Sequence, residues 1–79
     1  MNFNEIILKQ QIILRDIFDD ESLLITAETS AQDIDDWDSL THMQIIARME
    51  KEFKVRFALG ELQSLKNVGD MANLILQKI

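Results

Sequence analysis

The residue with the most chemical promise is Ser39, set between Asp38 and Leu40 at the head of a run of good helix formers. A hydroxyl at a helix N-terminus stands among unpaired backbone N–H groups and the positive end of the helix dipole, and both favour an attached phosphate. A phosphodiester on Ser39 is therefore electrostatically welcome. The same position suits an ordinary capping serine, since Ser and Asp commonly close helix N-termini, and local chemistry leaves the two roles open. His42 follows three residues later, so a Ser–His nucleophilic pair is conceivable. No third group is evident to orient the imidazole, however, and no oxyanion hole is evident to support hydrolysis. The chain has no Cys and one His, so a disulfide framework, a thiolate metal site and a His cluster are all excluded.

The serine must be held by helices. Proline is absent, glycine occurs twice, and sustained alternation of β-branched residues is missing, so the expected class is all-α. Phe3, Ile6, Ile7, Ile13, Leu14, Ile17 and Phe18 fall on one side of a helical wheel and predict a first helix over 3–18. Leu8 and Ile12 lie off that stripe, either widening the buried face or facing outward. Residues 19–38 lack a helical period and read as a long loop, of a length usually functional or disordered, whose apolar residues Leu23, Leu24, Ile25, Ile34 and Trp37 suggest that it is pinned to the core. Ser30 to Asp33 allows a capped helical turn inside it. A second helix is predicted over 39–53, with Asp36 and Asp38 at its start and Arg48 and Lys51 toward its end, matching the macrodipole. It has two apolar faces. Ile45, Ile46, Met49 and Phe53 cluster on one, which packs the core through Ile45, Met49 and Phe53; Leu40, Met43 and Ala47 form the other, either a partly exposed patch of the kind that marks interaction sites or a second buried side. A short third helix within 58–65 would turn Leu59, Leu62 and Leu65 inward, weakened by Gly60. Asn67 caps a fourth, with Val68, Met71, Ala72, Ile75 and Ile79 on one face. The expected architecture is a single domain over 1–79: a small four-helix bundle with a long loop between helices 1 and 2 and a short helix 3.

Composition narrows the function. A domain of 79 residues draws only about 3–5 kcal/mol net from its core, which leaves little to sustain a strained catalytic pocket. Net charge is −6, so phosphate backbones are repelled and nucleic-acid binding is not expected. Eight acids and no base fall within 19–38, against six acids and eight bases elsewhere. That segment is either a solvated loop or a docking surface for basic partners. The first residues lack a signal peptide's continuous apolar stretch, and no segment reaches the about 20 apolar residues of a membrane span. The expectation is a cytoplasmic protein without membrane insertion.

Asp38-Ser39-Leu40 opening an amphipathic second helix, Glu50-Lys51-Glu52-Phe53 closing it and Asn67-Val68 opening the last helix together resemble the acyl carrier proteins, over nearly the whole chain. The resemblance implies a freestanding carrier, not an enzyme, on which a phosphopantetheinyl transferase attaches 4′-phosphopantetheine from coenzyme A to Ser39. The arm's thiol would then hold thioester-linked acyl intermediates for fatty-acid or specialised acyl biosynthesis. It further implies a partner-docking surface of Asp35, Asp36, Asp38, Leu40, Met43 and Ala47. The partners would be acyl- or aminoacyl-loading and acyl-transfer enzymes, visited transiently by a monomer. An aminoacyl or peptidyl carrier shares the serine and helix order, and a tightly filled core would favour small or polar cargo. From another class comes an unmodified helical interaction module, in which Ser39 is only a cap. Trp37 reads as a packing anchor for the loop, with cargo contact the alternative, and His42 as a rim residue near the arm. Where members serving fatty-acid synthesis carry acids along the second helix, this chain has Gln44, Arg48 and Lys51, which points to a dedicated pathway.

Overall fold

The computed structural model describes residues 1–79 and contains four α-helices: α1 Phe3–Phe18, α2 Ser39–Phe53, α3 Leu59–Gln63 and α4 Val68–Lys78. None is long and apolar enough to cross a membrane. Helix α1 is the spine, against which both α2 and α4 pack.

Helix α1 begins with a reciprocal cap. The Asn2 side chain accepts the Glu5 amide at 2.9 Å, and the Glu5 carboxylate accepts the Asn2 amide at 3.1 Å, so two N–H groups without intrahelical partners are satisfied together. It ends where Asp19 turns into the left-handed region at φ 51°, a conformation that Asp tolerates better than most side chains. Ile6, Ile13 and Leu14 are buried, with Phe3, Ile7, Ile17 and Phe18 packed at their margin. Leu8 and Ile12, off the apolar stripe, lie outside and are 60% and 65% exposed. The same face buries Gln10 completely, and neither atom of its side-chain amide has a hydrogen-bond partner.

The connection from α1 to α2 has one 3-10 turn, Ala31–Asp33, where the Asp33 carboxylate accepts the Ser30 amide at 2.9 Å. Elsewhere it is fastened to the helices it crosses. Arg15 Nε donates to the Leu23 carbonyl at 2.7 Å, and Gln11 Oε1 accepts the Ile25 amide at 2.9 Å. At the head of α4, the Val68 and Gly69 amides donate to the carbonyls of Thr29 and Ala27, each at 2.8 Å. These are amides that no helix can satisfy from within. Ile25 is buried, and Leu23 and Trp37 pack against the core, but Leu24 projects into solvent instead of pinning the loop.

Ile45, Ile46, Met49 and Phe53 of α2 are buried as their spacing predicts. Lys54 then closes the helix in the left-handed region at φ 57°. In α3 the expectation of three inward leucines fails at Leu59, which is exposed, whereas Leu62 and Leu65 pack on the core. Helix α3 spans only five residues, and Leu59 at its first position projects away from the other elements. Asn67 caps α4 by accepting the Asp70 amide at 2.7 Å, and Val68, Met71, Ala72 and Ile75 are buried. Ile79 shares their face but lies past the last turn, half exposed.

The two glycines make opposite predictions. A Cβ on Gly69 would stand 2.8 Å from the Ala27 carbonyl oxygen, backbone that is itself held in the loop contact. Gly69→Ala is expected to cost about 1–3 kcal/mol, as overpacking does. A Cβ on Gly60 meets nothing within 4 Å, so Gly60→Ala is expected to add about 0.5–1 kcal/mol by reducing unfolded-chain freedom. Replacing Gln10 with Met removes two unpaired polar atoms at similar volume and is expected to gain about 1–3 kcal/mol. Urea unfolding of the three variants checks all three signs.

Candidate functional site

The start of α2 divides two roles between neighbouring residues. Asp38 is extended, at φ −109°, and its Oδ1 accepts the Thr41 amide at 2.8 Å while its carbonyl accepts the His42 amide at 2.8 Å. Asp38 is therefore the cap. Ser39 is the first helical residue, exposed, and no hydrogen bond within the chain engages its hydroxyl. The capping role that sequence left open for Ser39 is filled by the residue before it.

The Thr41 amide chiefly, with the Thr41 hydroxyl, holds the Asp38 carboxyl below its ordinary value by stabilising the charged form. Asp35 and Asp36 are exposed in the turn leading into the helix, where the Trp37 amide donates to the Ile34 carbonyl at 3.1 Å. Neither these two acids nor Asp33 and Asp38 enter any of the three ion pairs in the molecule. The negative charge beside Ser39 is thus unneutralised. On the other side of the serine, Leu40 and Met43 are 70% and 65% exposed, and Ala47 is exposed one turn further on. The six residues expected on a docking surface all face solvent.

Trp37 and His42 form the floor. The Trp37 ring packs against Phe18 at a centroid distance of 6.0 Å, anchoring the loop to α1, and its Nε1–H donates to His42 Nδ1 at 3.1 Å. Accepting that bond needs a lone pair on Nδ1, so the imidazole is committed to the indole and no hydrogen bond joins it to Ser39. A Ser–His nucleophilic pair is not assembled. Trp37 and His42 instead line both a shallow depression that reaches Asp38, Ser39 and Met43 and a smaller, more enclosed cavity of about 50 Å³. Leu65, Lys66, Asn67 and Met71 close the far wall of that cavity. Local spacing could not assign these four to the site, because they reach it only through the docking of α4 on the loop.

The arrangement can present a phosphate ester: an unengaged hydroxyl at a helix N-terminus, open to solvent, with a groove beside it and charged and apolar surfaces on either hand. It cannot activate that hydroxyl by itself. Residues 13–75 match the family model described as "phosphopantetheine attachment site". The chain is also similar to the holo acyl carrier protein from Geobacter metallireducens solved by solution NMR, with 53% identity over 92% of this chain and 84% of that one, at a TM-score of 0.87. None of the curated proteins compared matches.

The Asp38 cap carries a pH signature. Because its folded value is depressed, the stabilisation is present in full above about pH 4 and is lost as pH falls through the lowered value. In wild type, the Thr41 amide resonance is expected to titrate in that acid window, with the first turn of α2 fraying below it. Asp38→Asn should keep the capped turn and lose the titration, while Asp38→Ala should fray at every pH. An acid transition of Thr41 that persists in Asp38→Asn assigns the effect to another group.

Proposed function

Since the chain belongs to the acyl carrier proteins, the carrier family defined by a phosphopantetheine attachment site, we propose that Ser39 bears the arm and that the face around it is where enzymes dock. The protein is a carrier and not an enzyme, and its cofactor is covalent 4′-phosphopantetheine. When attached, that group supplies a thiol on which acyl groups are held as thioesters. One observation supports Ser39 above all: Asp38 caps α2, which leaves the Ser39 hydroxyl exposed and without a partner.

The residues present suit a phosphate-linked group. Ser39 contributes its oxygen at the positive end of α2, and Asp38 fixes where that helix begins, hence where the oxygen points. Asp35, Asp36 and Asp38 offer unpaired negative charge to a basic transferase or acyl-transfer enzyme and speed its encounter. Leu40, Met43 and Ala47 supply the apolar area that such an encounter then buries. Trp37 and His42, held to each other, keep the groove beside the serine open. A cavity of about 50 Å³ takes a few water-sized groups, so short or compact cargo fits the bundle as it stands.

Incubation with coenzyme A and a broadly acting phosphopantetheinyl transferase tests the assignment. Wild type is expected to gain the mass of a single arm and Ser39→Ala to gain none. An unmodified wild type would sink the reading, and loading that survives in Ser39→Ala would move the site elsewhere.

A further inference from the structure

The exposed face of α2 changes sign along its length. Advancing 100° per residue from Leu40, the side chains of Met43, Gln44, Ala47 and Lys51 all fall within about 60° of it, so Lys51 continues the apolar stripe in line. No acid falls on that stripe. Arg48 flanks it on the α1 side, paired with Asp16 at 2.7 Å yet 43% exposed, and Lys54 follows at the end of the helix. Of the acids at this end, the Glu50 carboxylate accepts the Phe57 amide at 2.9 Å, and Glu52, about half exposed, lies 3.9 Å from Lys9. Lys51 and Lys54 have no such partner.

A basic residue in the last turn complements the helix dipole, and that accounts for the charge of Lys51 but not for its alignment with the docking stripe. Thirteen residues of helix separate Asp38 from Lys51, about 20 Å. That is more than twice the about 8 Å over which exposed charges are felt at physiological salt. A docked enzyme therefore meets two separate fields, negative at the arm and positive at the far end. Like charges brought together across an interface oppose association, which makes a single charge at the edge of a stripe a means of rejecting partners.

We propose that Lys51 sets partner specificity: it turns away enzymes whose carrier-binding face is basic throughout and selects enzymes that are basic beside the active-site mouth and acidic where they meet the end of α2. The proposal rests on Ser39 as the arm-bearing residue, since that fixes which end of α2 faces the mouth.

A charge-swap experiment tests it. Wild type, Lys51→Gln and Lys51→Glu are loaded with the arm and checked by intact mass. They are then compared as acceptors for an acyltransferase of fatty-acid synthesis chosen for a carrier-binding face that is basic throughout. Lys51 is exposed and makes no hydrogen bond or ion pair, so the variants are expected to retain the fold, which their circular dichroism checks. The expected kcat/KM rises from wild type through Gln to Glu, by about three- to tenfold in all at low salt, and the differences shrink in about 1 M salt. Reversing the transferase base that faces the end of α2 to Glu should invert the order, so that wild type becomes the better acceptor. Loaded carriers used equally, or an order that does not invert, would overturn the role of Lys51 while leaving Ser39 intact. Carriers that take no arm would overturn both.

Discussion

Two hydrogen bonds at the head of α4 hold the molecule's least regular segment in place. The Val68 and Gly69 amides lie where a helix offers them no carbonyl of its own, and they take those of Thr29 and Ala27. One contact thereby satisfies a helix terminus and arrests a connection of twenty residues that has no ladder of its own. The requirement reaches into side-chain identity, because the approach at Gly69 leaves no room for a Cβ. It also builds the groove: Ala31 and Trp37 on the loop face Leu65, Asn67 and Met71 across the enclosed cavity. Were α4 capped only by its own side chains, the residues before α2 would be free to move and the serine would have no fixed surroundings.

With the loop arrested, the geometry at the start of α2 follows from a division of labour between adjacent residues. A side chain that caps a helix is folded back on its backbone and is not available to an enzyme. Asp38 accepts that role through the Thr41 amide, and Ser39 is left one step inside, where its backbone is helical and its hydroxyl is unengaged. An ionised cap is also a strong one, since hydrogen bonds to a charged acceptor exceed those to a neutral one. The acid next to the serine is thus a structural part of the start of α2.

Three of the four helices were legible because their apolar residues recur at helical spacing and end on recognisable caps. Periodicity also separated the two faces of α2 and placed Leu8 and Ile12 outside the α1 stripe. It does not say which residues of a face meet a neighbour. Leu59, Leu62 and Leu65 share a spacing, but Leu59 at the first position of α3 stays in solvent, whereas Leu62 and Leu65 pack on the core. Leu24 shares the apolar character of its neighbours Leu23 and Ile25, but those two reach the core and Leu24 does not. Gln10 is the converse case, a polar residue in the middle of a buried face, whose burial polarity does not announce. The choice of Asp38 over Ser39 as cap was beyond sequence, because both types cap well and only the dihedral angles of the turn distinguish them. The walls contributed by α4 depended on a contact about forty residues away along the chain.

What the sequence showed as an excess of acid becomes, in three dimensions, a choice about where ion pairs are made. The three that exist join α1 to α2 and α3 to α4, away from the serine. Exposed pairs of this kind add little to stability, so their placement matters less for what they hold than for what they leave unpaired. Asp33, Asp35, Asp36 and Asp38 repel one another within a short stretch, a cost to folding that the loop's fastening to α1 and α4 offsets. The return is a field that opposite charges on a partner can sense before contact, beside apolar side chains that only contact can bury. Apart from Asp38, which also caps α2, the exposed acids and apolar side chains around the serine take no part in the buried core.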